Sequence, residues 1–246
     1  MAATLDVISD GRLELGIGAG WHEGEHITYG YDFPSPYVRL NKLREGVKIL
    51  KMMWTEDKPS FKGKHYVIEE PLCEPKPVQK PHPPITIGGS GEKYTLKVVA
   101  AFADRWNYIG DINQYKQKLS ALEKHCKKIG IDLNDIDKTY HTSMEIYTDE
   151  NEFLQDMKKI YESGYYRRRP IEETSFDEWL VRFQSRAIVG KSETCLERIK
   201  EMIDLGITYF IFSARGLALR RAPDLKRRNA SLQRFADEVI SQIYIF

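Results

Sequence analysis

Residues 15–26 read LGIGAGWHEGEH, and their spacing holds two kinds of chemistry. Gly16, Gly18 and Gly20 alternate as in the glycine-rich turn that lets a dinucleotide pyrophosphate approach backbone amides. His22, Glu23 and His26 have the spacing of a zinc-hydrolase helix, with two imidazoles for the metal and a carboxylate for the base. A second glycine-rich stretch, TIGGSGEKYT at 86–95, sets Gly88, Gly89, Ser90 and Gly91 ahead of Lys93. Small residues opening a helix turn several N–H groups toward one anion, and the helix N-terminus adds about half a positive charge. The expected occupant is a phosphate, with an ordinary βα turn as the plain alternative.

Context decides between the first two readings. Trp21 stands in the slot of the third glycine that a dinucleotide site needs, and a loop rich in Gly and Pro, through TYGYDFPSPY, follows instead of a helix. The zinc reading needs both histidines on one helix, yet Gly24 interrupts it at about 1 kcal/mol and no apolar periodicity surrounds it. No metal site is therefore expected. Residues 15–20 read better as the C-terminal end of a strand, where glycines clear room for a flat ligand against the backbone. Gly18, Ala19, Gly20 and Trp21 are then cofactor contacts, and His22 and Glu25 the nearest candidates for proton transfer. A tight bend and a solvated polar loop are the plain alternatives. Basic residues at 165–170 and 213–228, Arg215 above all, are either solvated faces or contacts for an acidic tail or phosphorylated ligand.

These residues need elements to hold them. Short β-like runs alternate with amphipathic helical stretches: strands at 12–20, 84–89, 104–110, 138–147 and 207–212, and helices at 39–54, 92–103 and from Tyr115 to beyond Leu122. Leu5 and Ile8 end an opening helix that stops at Asp10 and Gly11. Residues 59–70 read as a hairpin inserted before a proline-rich connector, and 150–189 as a helical insertion. Ser192 is the expected N-cap of the helix through Met202, Gly206 its end, and Leu232, Phe235, Val239 and Ile243 mark a last helix. Strands separated by helices imply a parallel sheet with right-handed crossovers.

The chain of 246 residues is 41% hydrophobic, enough for one sizeable α/β domain. A net charge of +1 gives no general attraction to nucleic acid or anionic membrane. No apolar run approaches the roughly 20 residues that a bilayer requires. Cys73, Cys126 and Cys195 are widely spaced and odd in number, which fits reduced thiols in a cytoplasmic protein.

Residues 3–34, 39–54, 61–71, 83–107 and 187–212 together resemble the luciferase-like monooxygenase superfamily, most of all its coenzyme F420-dependent oxidoreductase branch. The likeness is collinear over nearly the whole chain. It implies a TIM (β/α)8 barrel of the luciferase-like type, with a flavin or deazaflavin at the C-terminal ends of the strands. It further implies that the loop after LGIGAG meets the ring, and that GGSG meets the ribityl-phosphate region. The expected activity is hydride transfer between F420 and a small organic substrate; FMN-dependent monooxygenation is the alternative.

Five strands outside the hairpin fall short of eight. The resemblance implies a barrel without the family's first three βα units, which in the family supply one wall of the cofactor pocket. The expectation is a single partial barrel over 1–246, active by itself, completed by another copy or chain, or a non-catalytic subunit. An open sheet with bare edges favours such association.

Overall fold

The computed structural model describes residues 1–163, 175–213 and 225–243. Arg215 and the basic run at 165–170 lie outside these residues. The chain divides into two compact units, one of Met1–Tyr108 with Gln117–Lys138 and one of Ile109–Lys116 with Thr139–Phe246.

The first unit opens with helix α1 (Ala2–Ile8), strand β1 (Leu15–Ile17), helix α2 (Glu23–Thr28) and helix α3 (Pro36–Thr55). The hairpin of β2 (Ser60–Lys62) and β3 (Val67–Glu69) follows, as expected for 59–70. Then come β4 (Ile85–Gly88), α4 (Thr95–Phe102), β5 (Arg105–Tyr108) and, from Gln117 on, α5 (Tyr115–Ile129). β4 lies between β1 and β5 and is parallel to both. Paired residues of neighbouring parallel strands point to the same face. Ile85, Ile87, Trp106 and Tyr108 are buried on one face, with Leu96 and Val99 of α4, Val47 and Trp54 of α3 and Leu122 of α5 also in the core. Gly16, Thr86, Gly88, Arg105 and Asn107 occupy the other face.

Two buried carboxylates tie the unit's irregular segments. Asp6 accepts the backbone N–H of Gln79 at 3.0 Å and its side-chain amide at 2.7 Å, joining α1 to the proline-rich connector. Glu45 of α3 accepts the amides of Lys64, His65 and Tyr66 at 3.0, 2.8 and 3.1 Å, seating the hairpin on the helix. In both, burial pushes the pKa up, but the amide donors outweigh it and the net shift is downward.

The second unit holds β6 (Asp137–Ile146) from Thr139 on, α6 (Glu150–Glu162), α7 (Phe176–Gln184), β7 (Ala187–Gly190), α8 (Ser192–Asp204) and β8 (Tyr209–Ser213). It ends with α9 (Leu225–Arg234), a π-helical segment (Phe235–Ile240) and α10 (Ser241–Ile243). β6 is parallel to β7 through residues 143–146 and to β8 through 139–143. Ser143 is level with both Ala187 and Ser213, so the two partners flank β6 on opposite edges. Phe153, Met157 and Ile160 of α6 form a core with Trp179 and Phe183 of α7 and Val189 of β7.

Among the described residues the fold is α/β with three parallel strands in each unit, six in all where five were expected. The additional strand is β7, which overlaps the end of the stretch read as helical and is only four residues long. Two helix starts also differ. α3 begins at Pro36 behind an N-cap at Ser35, the preferred pairing of a capping hydroxyl with proline in the first turn. The N-cap of α8 is Lys191; Ser192 is its first residue and donates its hydroxyl to the Glu238 carboxylate. In the last helix, Phe235 and Val239 are buried as expected, whereas Leu232 is 37% exposed.

Candidate functional site

The two glycine-rich tips meet through the sheet. β1 and β4 pair Leu15 with Ile85, Gly16 with Thr86 and Ile17 with Ile87, so Gly18, the residue after β1, and Gly88, the last of β4, follow directly from a paired position. Gly88 is in turn level with Asn107 on β5. The segments 18–20 and 88–91 therefore share one C-terminal rim.

The glycines of this rim serve two purposes. A Cβ built at Gly16, Gly18 or Gly88 would meet nothing within 4 Å, and none of the three has a left-handed φ. Neither packing nor backbone geometry asks for glycine there, although glycine within a strand costs about 0.5–1 kcal/mol. Gly89 and Gly91 differ: a Cβ would meet Thr95 Cγ2 at 2.8 Å and Thr95 Oγ1 at 2.9 Å respectively, and Gly89 has φ +127°. Those two let the loop fold tightly against the start of α4. The others leave open floor.

The loop after β4 is anchored on both sides. Trp106 Nε1 donates to the Gly89 carbonyl at 2.8 Å, and the Gly89 amide donates to the Asn107 carbonyl at 3.2 Å. The Glu92 carboxylate accepts Lys118 Nζ at 2.7 Å and Gln117 Nε2 at 2.9 Å, while His125 Nε2 donates to its carbonyl at 2.7 Å. The Lys118 hydrogen bond, against the opposing effect of burial, holds the Glu92 carboxyl below its usual range. The one acid of GGSGEK is thus drawn toward α5 and paired. α4 starts at Thr95, after a turn at 92–94, rather than at 92 as expected. Ser90 is half-buried; Lys93 is exposed, its Nζ 5.2 Å from the centroid of the Tyr94 ring.

HEGEH takes a form that the sequence reading did not anticipate. Residues 23–28 form α2 rather than a loop, with His22 as N-cap outside the helix. His22 Nδ1 accepts the Glu25 amide at 3.1 Å, which places the proton of the neutral ring on Nε2. His26 Nδ1 donates to the His22 carbonyl at 3.0 Å, and its ring lies against Gly20, where a Cβ would come within 2.9 Å. The two imidazoles are committed to the backbone through their Nδ1 atoms and do not share a helix. Among the described residues no group of three or more His, Cys, Asp or Glu side chains is placed to hold a metal ion. Trp21 is 77% exposed and packs edge-on against His22, ring centroids 5.2 Å apart.

A cleft of about 700 Å³ opens beside the tip of β1. Gly18, Ala19 and Glu25 line it, joined by Arg39, Lys42 and Tyr66, which the sequence reading did not single out. Trp21, His22, Lys93 and the 88–91 loop are not among its lining residues. Arg39 is held by its Nη1 donating to the Pro34 carbonyl and by the Phe33 ring, whose centroid is 3.8 Å from Cζ. Tyr66 reaches the cleft because Glu45 fixes its backbone. Asn107 was also missed. Its side-chain Oδ1 is buried without a hydrogen-bond partner among the described residues, an arrangement that costs about 1–3 kcal/mol.

The family model for luciferase-like monooxygenases matches residues 1–209. An F420-dependent glucose-6-phosphate dehydrogenase from Microbacterium testaceum is 28% identical over 222 residues, which is 85% of this chain and 65% of that protein. The FMNH2-dependent dimethylsulfone monooxygenase of Pseudomonas putida is 29% identical over 138 residues, 52% of this chain and 37% of that protein. The chain therefore spans less than two thirds of the length of either curated relative. The solved coenzyme F420-dependent tetrahydromethanopterin reductase of Methanopyrus kandleri superposes with a TM-score of 0.74 at 19% identity, over 98% of this chain and 77% of that one. At that identity the likeness is one of fold.

Proposed function

The chain belongs to the luciferase-like monooxygenase family, and from that premise we propose that it is an F420-dependent oxidoreductase acting on a small organic substrate. The observation that carries this reading is the shared rim of β1 and β4, with Gly18 and Gly88 open toward a ligand. When bound, F420 supplies a two-electron carrier that gives or takes a hydride at one ring carbon.

The residues present fit such a cofactor. Gly18, Gly88 and the main chain beside them offer a flat, side-chain-free floor for a ring system. The Ser90 hydroxyl and the amides of Ser90 and Gly91 offer donors to a phosphate, with Lys93 nearby, the Gly89 amide held by Asn107 and the Glu92 carboxylate paired elsewhere. His22 Nε2 carries the proton of the neutral ring, and Glu25 lines the cleft. These two groups hold or receive the proton that accompanies hydride transfer. The cleft at the β1 tip admits the substrate, with Arg39, Lys42 and Tyr66 orienting its polar groups. The six parallel strands belong to a (β/α)8 barrel in this reading.

FMN is the second reading, favoured by the likeness to an FMNH2-dependent monooxygenase. Titration of the purified chain with F420 and with FMN, followed by absorbance and fluorescence, separates the two. Saturable F420 binding that FMN does not displace supports the first reading, and the reverse result selects the second. Binding of neither discards both.

A further inference from the structure

We propose that Asn107 reads the polar edge of a planar heterocycle, its ring bearing a lactam or imide group, laid over Gly18 and Gly88. The inference deepens the reading above and rests on it in one respect, that the ring belongs to the cofactor.

Three observations converge on Asn107. It is level with Gly88 and shares a sheet face with Gly16, Thr86 and Gly88, so its side chain borders the open floor. Its neighbours in β5, Trp106 and Tyr108, are 0% and 1% exposed, and its own carbonyl accepts the Gly89 amide. The backbone is thus immobilised and satisfied, and the carboxamide is presented from a fixed position. Its Oδ1 is buried and has no hydrogen-bond partner among the described residues. Buried acceptors are nearly always satisfied in folded chains, and an exception points to a partner beyond the described residues, such as water or a ligand.

The chemistry of that partner follows from the side chain. A carboxamide offers an acceptor and a donor a short distance apart. Its complement is a donor beside an acceptor in one plane, as in a lactam or imide. Flavin and deazaflavin rings both end in such an edge. The glycine floor selects for a flat body and Asn107 for the pattern along its rim.

Asn107→Leu keeps the approximate size of the side chain and removes both polar atoms. The unliganded thermal midpoint and the affinities for F420, FMN and lumichrome, a flavin ring without a phosphate chain, are measured for wild type and variant. The expected result is a midpoint unchanged or raised, because replacing an unpaired buried acceptor by an apolar group removes its desolvation cost. Each ligand that wild type binds should bind about ten-fold more weakly or worse. A folded variant with a lower midpoint makes Asn107 a residue of the scaffold and overturns the proposal, as does unchanged affinity. If the leucine variant does not fold, Asn107→Asp decides: ten-fold weaker binding upholds the contact and unchanged affinity overturns it. Wild type binding lumichrome but neither F420 nor FMN keeps the ring site and removes the cofactor reading. Failure to bind any of the three removes both.

Discussion

The Glu45 carboxylate accepts the backbone amide of His65 at 2.8 Å, joining the middle of α3 to the turn of a hairpin about twenty residues further on. The same carboxylate holds Tyr66 at the edge of the cleft. One buried acid thus links a helix of the scaffold to a wall of the candidate site.

Glu45→Gln should lower the thermal midpoint and loosen the hairpin, because an amide cannot accept three N–H groups as a carboxylate does. Gly63 supports the same contact: a Cβ there would lie 2.6 Å from Glu45 Cδ, so Gly63→Ala should destabilise in the same direction. Hydrogen exchange at residues 64–66 is the direct measurement, and unchanged protection in Glu45→Gln would refute the link.

Acid should unfold the chain through Asp6 and Glu45. Both have folded pKa values below their usual range, so their stabilisation is fully present above the unfolded values, near 4, and is lost as pH falls through the folded ones. Urea midpoints measured from pH 7 down to pH 3 should fall in wild type and flatten in Asp6→Asn and Glu45→Gln. A wild-type midpoint that does not change over that range contradicts this.

The rim glycines should separate by function. Gly88→Val should leave the midpoint within error and weaken F420 or FMN binding about ten-fold or more, since its side chain enters only the open floor. Gly89→Ala should instead cost about 1–3 kcal/mol, because it forces a left-handed φ and a collision with Thr95. Equal loss of stability in the two variants would show that both glycines serve the fold.

His22 carries a cap as well as a candidate proton. His22→Asn preserves an acceptor for the Glu25 amide and removes the imidazole. His22→Ala should speed amide exchange across 23–28, by about 1 kcal/mol of local stability, with little change in global midpoint because α2 buries no residue. Turnover lost in both variants, with exchange restored only in His22→Asn, assigns the imidazole to chemistry. Turnover restored by His22→Asn assigns it to the cap.

Thiol reactivity should follow burial. Cys126 and Cys195 are 0% and 1% exposed, and burial pushes both thiols up, Cys195 to about 12. With a disulfide reagent at pH 8, Cys73 should react in the native protein and the other two only on unfolding. Rapid native reaction at Cys195, read by mass spectrometry, would contradict its burial.

Much of the scaffold was readable where a local pattern repeats. The apolar spacing in α3 marked Leu43, Val47 and Trp54, all buried, and Lys62–Gly63–Lys64 between two β-like runs marked the hairpin. The signal failed where an element is short or leaves no amphipathic trace. β7 has four residues, too few to separate a strand from a helical turn. α2 buries nothing, so its helix rests on local hydrogen bonds and the His22 cap. Glu45 looked like one charge among many along α3, because its partners are backbone amides, which have no sequence signature.

From its sequence alone this chain showed a parallel α/β alternation, two glycine-rich strand ends and a collinear family likeness. Each of these is written in neighbouring residues, through side-chain periodicity and backbone freedom. Tertiary structure decided that β4 lies between β1 and β5, and in which register. That pairing brings Gly18, Gly88 and Asn107 to one rim, and it separates glycines that spare α4 from glycines that face open space. Ladders between distant segments form through hydrogen bonds common to every residue, so no local pattern specifies which strands meet.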